Sequence, residues 1–95
     1  MSKRTIIDEA LVLRFPRGVR LKNDKTRKQW VVLAPERMFV LDDIAQAIMQ
    51  EVNGVKTVSV IVDNLTEKFQ APREQILCDV VSMLQDFADK GVLAT

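Results

Sequence analysis

The sequence predicts an α+β fold, winged-helix-like, with a three-stranded antiparallel β-meander followed by three α-helices. Three observations predict it. Residues 19–41 hold short β-prone runs separated by turn formers. Beyond residue 42, apolar residues recur at helical spacing in successive stretches with their own start and stop signals. The last two of these stretches are joined by a tight turn, in the manner of a helix-turn-helix.

Each element follows from its residues. Val19 to Lys22 alternates apolar and basic residues, the pattern of a half-buried strand. Asn23-Asp24-Lys25-Thr26 supplies a turn. Trp30 to Ala34 is a continuous β-prone run, consistent with a central strand, and Pro35 stops it. Arg37 to Leu41 gives the third strand, with Met38 and Val40 on one side and Phe39 and Leu41 on the other. Asp42 or Asp43 caps the first helix, which is expected to bury Ile44, Ala45, Ile48 and Val52 and to end at Asn53-Gly54. Thr57 caps the second. The run Val58 to Val62 has strand propensity, but the spacing of Val58, Ile61, Val62, Leu65 and Phe69 selects a helix. Pro72 to Lys90 is the third, closed by Gly91. Residues 1–15 are expected to form a weakly structured segment, a short strand or a piece docked on the core, ahead of one domain spanning 16–95.

The composition excludes much chemistry. Ninety-five residues, 47% hydrophobic and 28% charged, make a single soluble globular domain. There is no histidine, so no imidazole acid, base or metal ligand, and one cysteine gives neither an internal disulfide nor a zinc ligand set. The three glycines form no phosphate-binding loop. Asp42-Asp43 stands at a helix start, where such residues act as caps. The chain is therefore not expected to be an enzyme, and no cofactor is implied. Neither a membrane-spanning run nor a secretory signal is visible, which places the chain in the cytoplasm by default.

Charge is unevenly spread. Residues 1–37 carry ten Lys/Arg and four Asp/Glu, a net +6, whereas residues 38–95 carry four and nine, a net −5. This suggests one basic and one acidic surface, whose fields would help orient partners. Nucleic-acid binding is one reading of a winged-helix-like fold. However, the third helix is net −2 over residues 72–90, and only Arg20, Lys22, Lys25, Arg27 and Lys28 on the hairpin would meet phosphates.

The apolar face of the third helix is broad. Ile76, Leu77, Val80, Val81, Met83, Leu84, Phe87 and Ala88 fill an arc of roughly 160° at about 100° per residue. Two readings fit: the helix is the main core element, or part of this face walls a groove. In the second, the edge strand Arg37, Met38, Phe39, Val40 and Leu41 offers unpaired backbone to an extended peptide. Ile76, Val80, Met83 and Phe87, with Asp79 at the margin, form the wall, and Leu77, Val81, Leu84 and Ala88 face the core. Met38 and Met83 would make the groove adaptable. A charge at Val80 is then expected to block binding without unfolding the domain.

A sustained run of residues is similar to the PqqD family, pyrroloquinoline quinone (PQQ) biosynthesis protein D. It comprises Arg17 to Leu21, Trp30 to Arg37, Phe39 to Asp42, Gly54 with Thr57-Val58, Ile61 to Leu65, Ala71 to Glu74 and Leu84 to Gly91. The resemblance covers about residues 16–93 in order. It implies a small winged-helix-like peptide chaperone that binds the ribosomal precursor peptide PqqA by strand addition. Such a chaperone presents PqqA to the radical S-adenosylmethionine enzyme PqqE. The same domain type serves as the leader-recognition element of other peptide-modifying pathways, which keeps such a pathway open. On this chain the resemblance makes Arg37, Met38, Phe39, Val40 and Leu41 the strand side, and Ile76, Asp79, Val80, Met83 and Phe87 the helix side. Asp79 would meet a Lys or Arg of the leader, and Arg37 a carboxylate. The exposed edge strand is compatible with a monomer or a weak homodimer.

Overall fold

The computed structural model describes residues 6–95. The three strands are β1 (Arg20–Asp24), β2 (Gln29–Ala34) and β3 (Arg37–Val40); the helices are α1 (Asp43–Glu51), α2 (Val58–Phe69) and α3 (Arg73–Asp89). The fold is α+β, and the sheet is antiparallel in the order β1-β2-β3. Asp24 Oδ1 accepts from the backbone N–H groups of Thr26 and Arg27 at 3.1 and 3.3 Å, shaping the first turn. Pro35 and Glu36 make the second, with Glu36 at a left-handed φ of 62°.

The register sorts the side chains onto two faces. Leu21, Val32 and Phe39 stand in one row and face the helices. Arg20, Leu33 and Met38 form a row on the opposite face, as do Lys22, Val31 and Val40. Met38 therefore points away from α3, contrary to the expectation that it joins Met83 in one groove.

The helices begin and end where their caps dictate. Asp42 Oδ1 accepts from the Ala45 N–H at 2.7 Å, and Thr57 Oγ1 from the Val60 N–H at 3.2 Å. The strand-prone start of α2 is helical because Val58, Ile61, Val62 and Leu65 are all buried on one side. At the end of α3, Gly91 sits at φ 76°. Its N–H donates to Ala88 O at 3.0 Å and that of Val92 to Phe87 O at 2.9 Å, a Schellman closure that drives Val92 into the core.

Residues 6–15 form no helix or strand of their own, yet they are tied down. The carbonyls of Leu11 and Glu9 accept from the Val58 and Ser59 N–H groups at 2.8 and 2.9 Å. They thereby satisfy donors that the first turn of α2 leaves free. Arg14 exchanges two backbone hydrogen bonds with Ala94, and Leu13 and Ile7 are buried in the core. Arg73 clamps the arrangement from α3, donating to Asp63 at 2.7 Å, Glu9 at 2.6 Å and Ser59 at 3.2 Å.

Glu51 joins α1 to α2. Burial works against its ionisation. The hydrogen bond from Asn64 at 2.8 Å, then the hydrogen bond and charge of Lys56 at 3.2 Å, outweigh that cost and hold the carboxyl below its ordinary value of 4.5. A depressed folded-state value stabilises the fold above 4.5, and that gain is lost as pH falls through the folded value. Glu51→Gln is expected to melt earlier than the parent near about pH 6, with the gap closing as pH falls below 4.5. Thermal melts of both proteins across pH check this.

Candidate functional site

The edge of β3 is open. Leu41 N–H donates to Trp30 O at 2.9 Å, which fixes the phase of the β2–β3 ladder. Because hydrogen-bonded and non-hydrogen-bonded pairs alternate, Phe39 turns its backbone groups towards β2, whereas Met38 and Val40 turn theirs outward. Each outward residue offers one donor and one acceptor.

Beside this edge runs α3, and between them lies an open groove of about 560 Å³. Val40 and Leu41 line it from the strand side, Asp79, Ser82, Met83, Asp86 and Phe87 from α3, and Asp42, Ile44 and Ala45 from α1. One end is tied shut. Phe39 and Phe87 meet edge to face at 5.8 Å between ring centroids. Lys90 Nζ lies 5.6 and 5.8 Å from those two rings and pairs with Asp86 at 2.8 Å. Arg37 Nη2 donates to Lys90 O at 2.9 Å. Arg37 thus bonds the end of α3 to the start of β3, and this knot sets the spacing of strand and helix. Away from it, Asp42 and Asp79 make the lining acidic.

The residues expected at this site divide. Phe39 and Leu41 face inward, with Leu41 buried, while Met38 and Val40, 41% and 47% exposed, contribute outward backbone. Asp79, Met83 and Phe87 line the groove. Ile76 and Val80 do not; they line a second cleft, which shares Asp79. Val80 is 1% exposed and belongs to the core with Leu84 and Phe87. The expectation that it stands free on a groove wall is therefore corrected. The flank assigned to the core does pack on it: Leu84 is buried, and Leu77, Val81 and Ala88 are half-buried against the core, Leu77 and Val81 also lying beside Asp8 and Glu9 of the N-terminal segment. The broad arc arises because α3 touches three things: core, groove and N-terminal segment.

Two site residues were missed. Ile44 was expected in the core of α1 and Phe69 on the buried face of α2, yet they are 55% and 43% exposed. Both sit at helix ends, where the body of the domain no longer covers the apolar face. Among the described residues no helix is long and apolar enough to cross a membrane.

A family model described as coenzyme PQQ synthesis protein D (PqqD) matches residues 29–93. A protein of Rhodopseudomonas palustris named PqqA binding protein is 48% identical over 92 residues, covering 97% of this chain and 90% of the relative. One of the same name from Bradyrhizobium diazoefficiens is 52% identical over 79 residues, covering 83% of this chain and 77% of the relative. The solution structure of the PqqD portion of Methylobacterium extorquens PqqCD is similar, with a TM-score of 0.80 and 43% identity over 94% of this chain and 95% of that one. It is described as a functional, stand-alone recognition element for ribosomally synthesised and post-translationally modified peptides. The crystal structure of PqqD from Xanthomonas campestris is also similar, with a TM-score of 0.60 and 38% identity over 84% of this chain and 89% of that one.

Proposed function

The chain belongs to the PqqD family, and we propose that it binds the precursor peptide PqqA in the β3–α3 groove and presents it to the modifying enzyme PqqE. The carrying observation is the open edge of β3 beside the groove, with the backbone groups of Met38 and Val40 turned outward. A fourth strand paired there gains main-chain hydrogen bonds, and its alternate side chains enter the groove against Met83 and Phe87. The acidic lining favours a segment carrying Lys or Arg, with Asp79 as one partner. Arg37 acts chiefly as the tie that holds the groove's end, rather than as a free receptor for a carboxylate.

The role is binding, not catalysis. A bound leader makes delivery of the rest of the peptide intramolecular once the carrier docks on PqqE, raising its effective concentration. That docking needs a surface the peptide leaves open. On the sheet face away from the helices Val31 is buried, but the row of Arg20, Leu33 and Met38 is at least partly exposed and qualifies.

Titration of isotope-labelled protein with synthetic PqqA, alongside a random DNA duplex, tests the reading. Saturable shifts at residues 38–41 and 79–87 with the peptide, and none with DNA, are expected. Shifts at residues 20–28 with DNA and no response to the peptide would overturn it.

A further inference from the structure

A second cleft opens between α1, the end of α2 and the start of α3. Its volume is about 190 Å³, and its walls are Ile44, Ile48, Leu65, Phe69, Ile76 and Val80. Ile44 and Asp79 line both this cleft and the β3–α3 groove, so the two adjoin at these residues. At its rim Ile44 and Phe69 leave much of their apolar surface in water. A dry apolar cavity of about 150 Å³ accepts a benzene ring, so this cleft suits one large apolar side chain.

We propose that the cleft is an anchor pocket for a single Leu, Met or Phe side chain of the precursor peptide, lying just beyond the segment paired with β3. This rests on the peptide-binding reading of the groove. Continuity selects the occupant: a strand running along β3 past Leu41 passes Asp42 and reaches Ile44. Charge narrows the chemistry. Asp79 stands where groove and cleft meet, and Asp42 lines the groove nearby. The anchor side chain is therefore flanked by a Lys or Arg rather than by a carboxylate. A second copy docking through this same face would bring the same acidic residues and be repelled. Strand pairing is nearly blind to side chains, so the pocket supplies register: slipping the peptide by one residue turns the anchor away from it.

The double variant Ile44→Ser/Phe69→Ser tests the pocket, because both residues are substantially exposed and the core is left in place. The probe is synthetic PqqA, with affinity measured by calorimetry and binding at β3 followed by NMR. The expected result is an affinity loss of about tenfold or more, with saturable shifts retained at residues 38–40. Replacing one large apolar residue of the peptide by Ala should cause the same loss in the parent protein and little further loss in the variant. Ala71→Met, which fills the cleft from its rim without removing a contact, provides a second route to the same loss. Unchanged affinity in both variants, with binding at β3 intact, would overturn the pocket and leave the groove standing. Absence of saturable binding at β3 in the parent would overturn the groove, and the pocket with it.

Discussion

Val40→Pro is expected to weaken PqqA binding by at least about tenfold while leaving the domain folded. Proline removes one backbone donor and fixes φ near −65°. At Val40 the lost N–H points away from β2, so the ladder that holds β3 in the sheet keeps its bonds through Phe39 and Leu41. Edge positions of this kind are where natural sheets tolerate proline. The residue before it, Phe39, is already extended, as a preceding residue must be. One lost intermolecular hydrogen bond, with its acceptor left unpaired, costs about 1–3 kcal/mol, of which 1.4 is a factor of ten. Circular dichroism checks the fold and calorimetry the affinity. A folded Val40→Pro protein with undiminished affinity would mean that the peptide does not pair with this edge.

Val80→Asp is expected to unfold the protein rather than to act as a clean binding lesion. Val80 is 1% exposed and packs in the core with Leu84 and Ile61, at the floor of the cleft beside Ile48 and Leu65. An unpaired carboxylate buried there costs several kcal/mol even after its proton affinity adjusts. A domain of this size is stable by only about 5–14 kcal/mol, so most of its stability goes. The expected result is loss of the cooperative thermal transition, or a midpoint lowered by about 15 °C or more. A Val80→Asp variant melting near the parent would place Val80 at the surface. Groove chemistry is better tested at Met83 and Asp79, which line the groove and are not buried.

The contrast between these two positions shows what the sequence carried and what it did not. Strand order, all three helices and the caps at Asp42, Thr57 and Gly91 were legible because each depends on local chemistry: Pro35 stops a strand, Asp42 and Thr57 accept from the third N–H, and Gly91 permits a left-handed turn. The first turn was expected two residues early, because Asn23 and Asp24 pair with Trp30 and Gln29 in β1 and the turn is 25–28. The β3–α3 groove was legible because alternation along Arg37 to Leu41 and the width of the α3 face both pointed to it. The division of that face was not. A helical wheel places Val80 and Met83 on one flank but cannot say which α1 and α2 cover, and these helices bury Val80 and leave Met83 at the groove. Ile44 and Phe69 obey core periodicity and still reach solvent, because their helices begin and end there. The tie from Arg37 to Lys90 links residues far apart in the chain, and no local pattern announces it. The N-terminal segment shows the same limit: part of its anchorage is backbone carbonyls meeting the first turn of α2, a contact independent of side-chain identity.

Hydrogen exchange at single amides, with and without PqqA, tests strand addition most directly. The ladder phase turns Met38 and Val40 outward on the β3 edge, and Leu21 and Asn23 outward on the β1 edge. Saturating peptide should slow exchange at Met38 and Val40 and leave Leu21 and Asn23 unchanged. Saturable binding with no added protection at Met38 and Val40, or with protection at Leu21 and Asn23 instead, would contradict pairing of the peptide with β3.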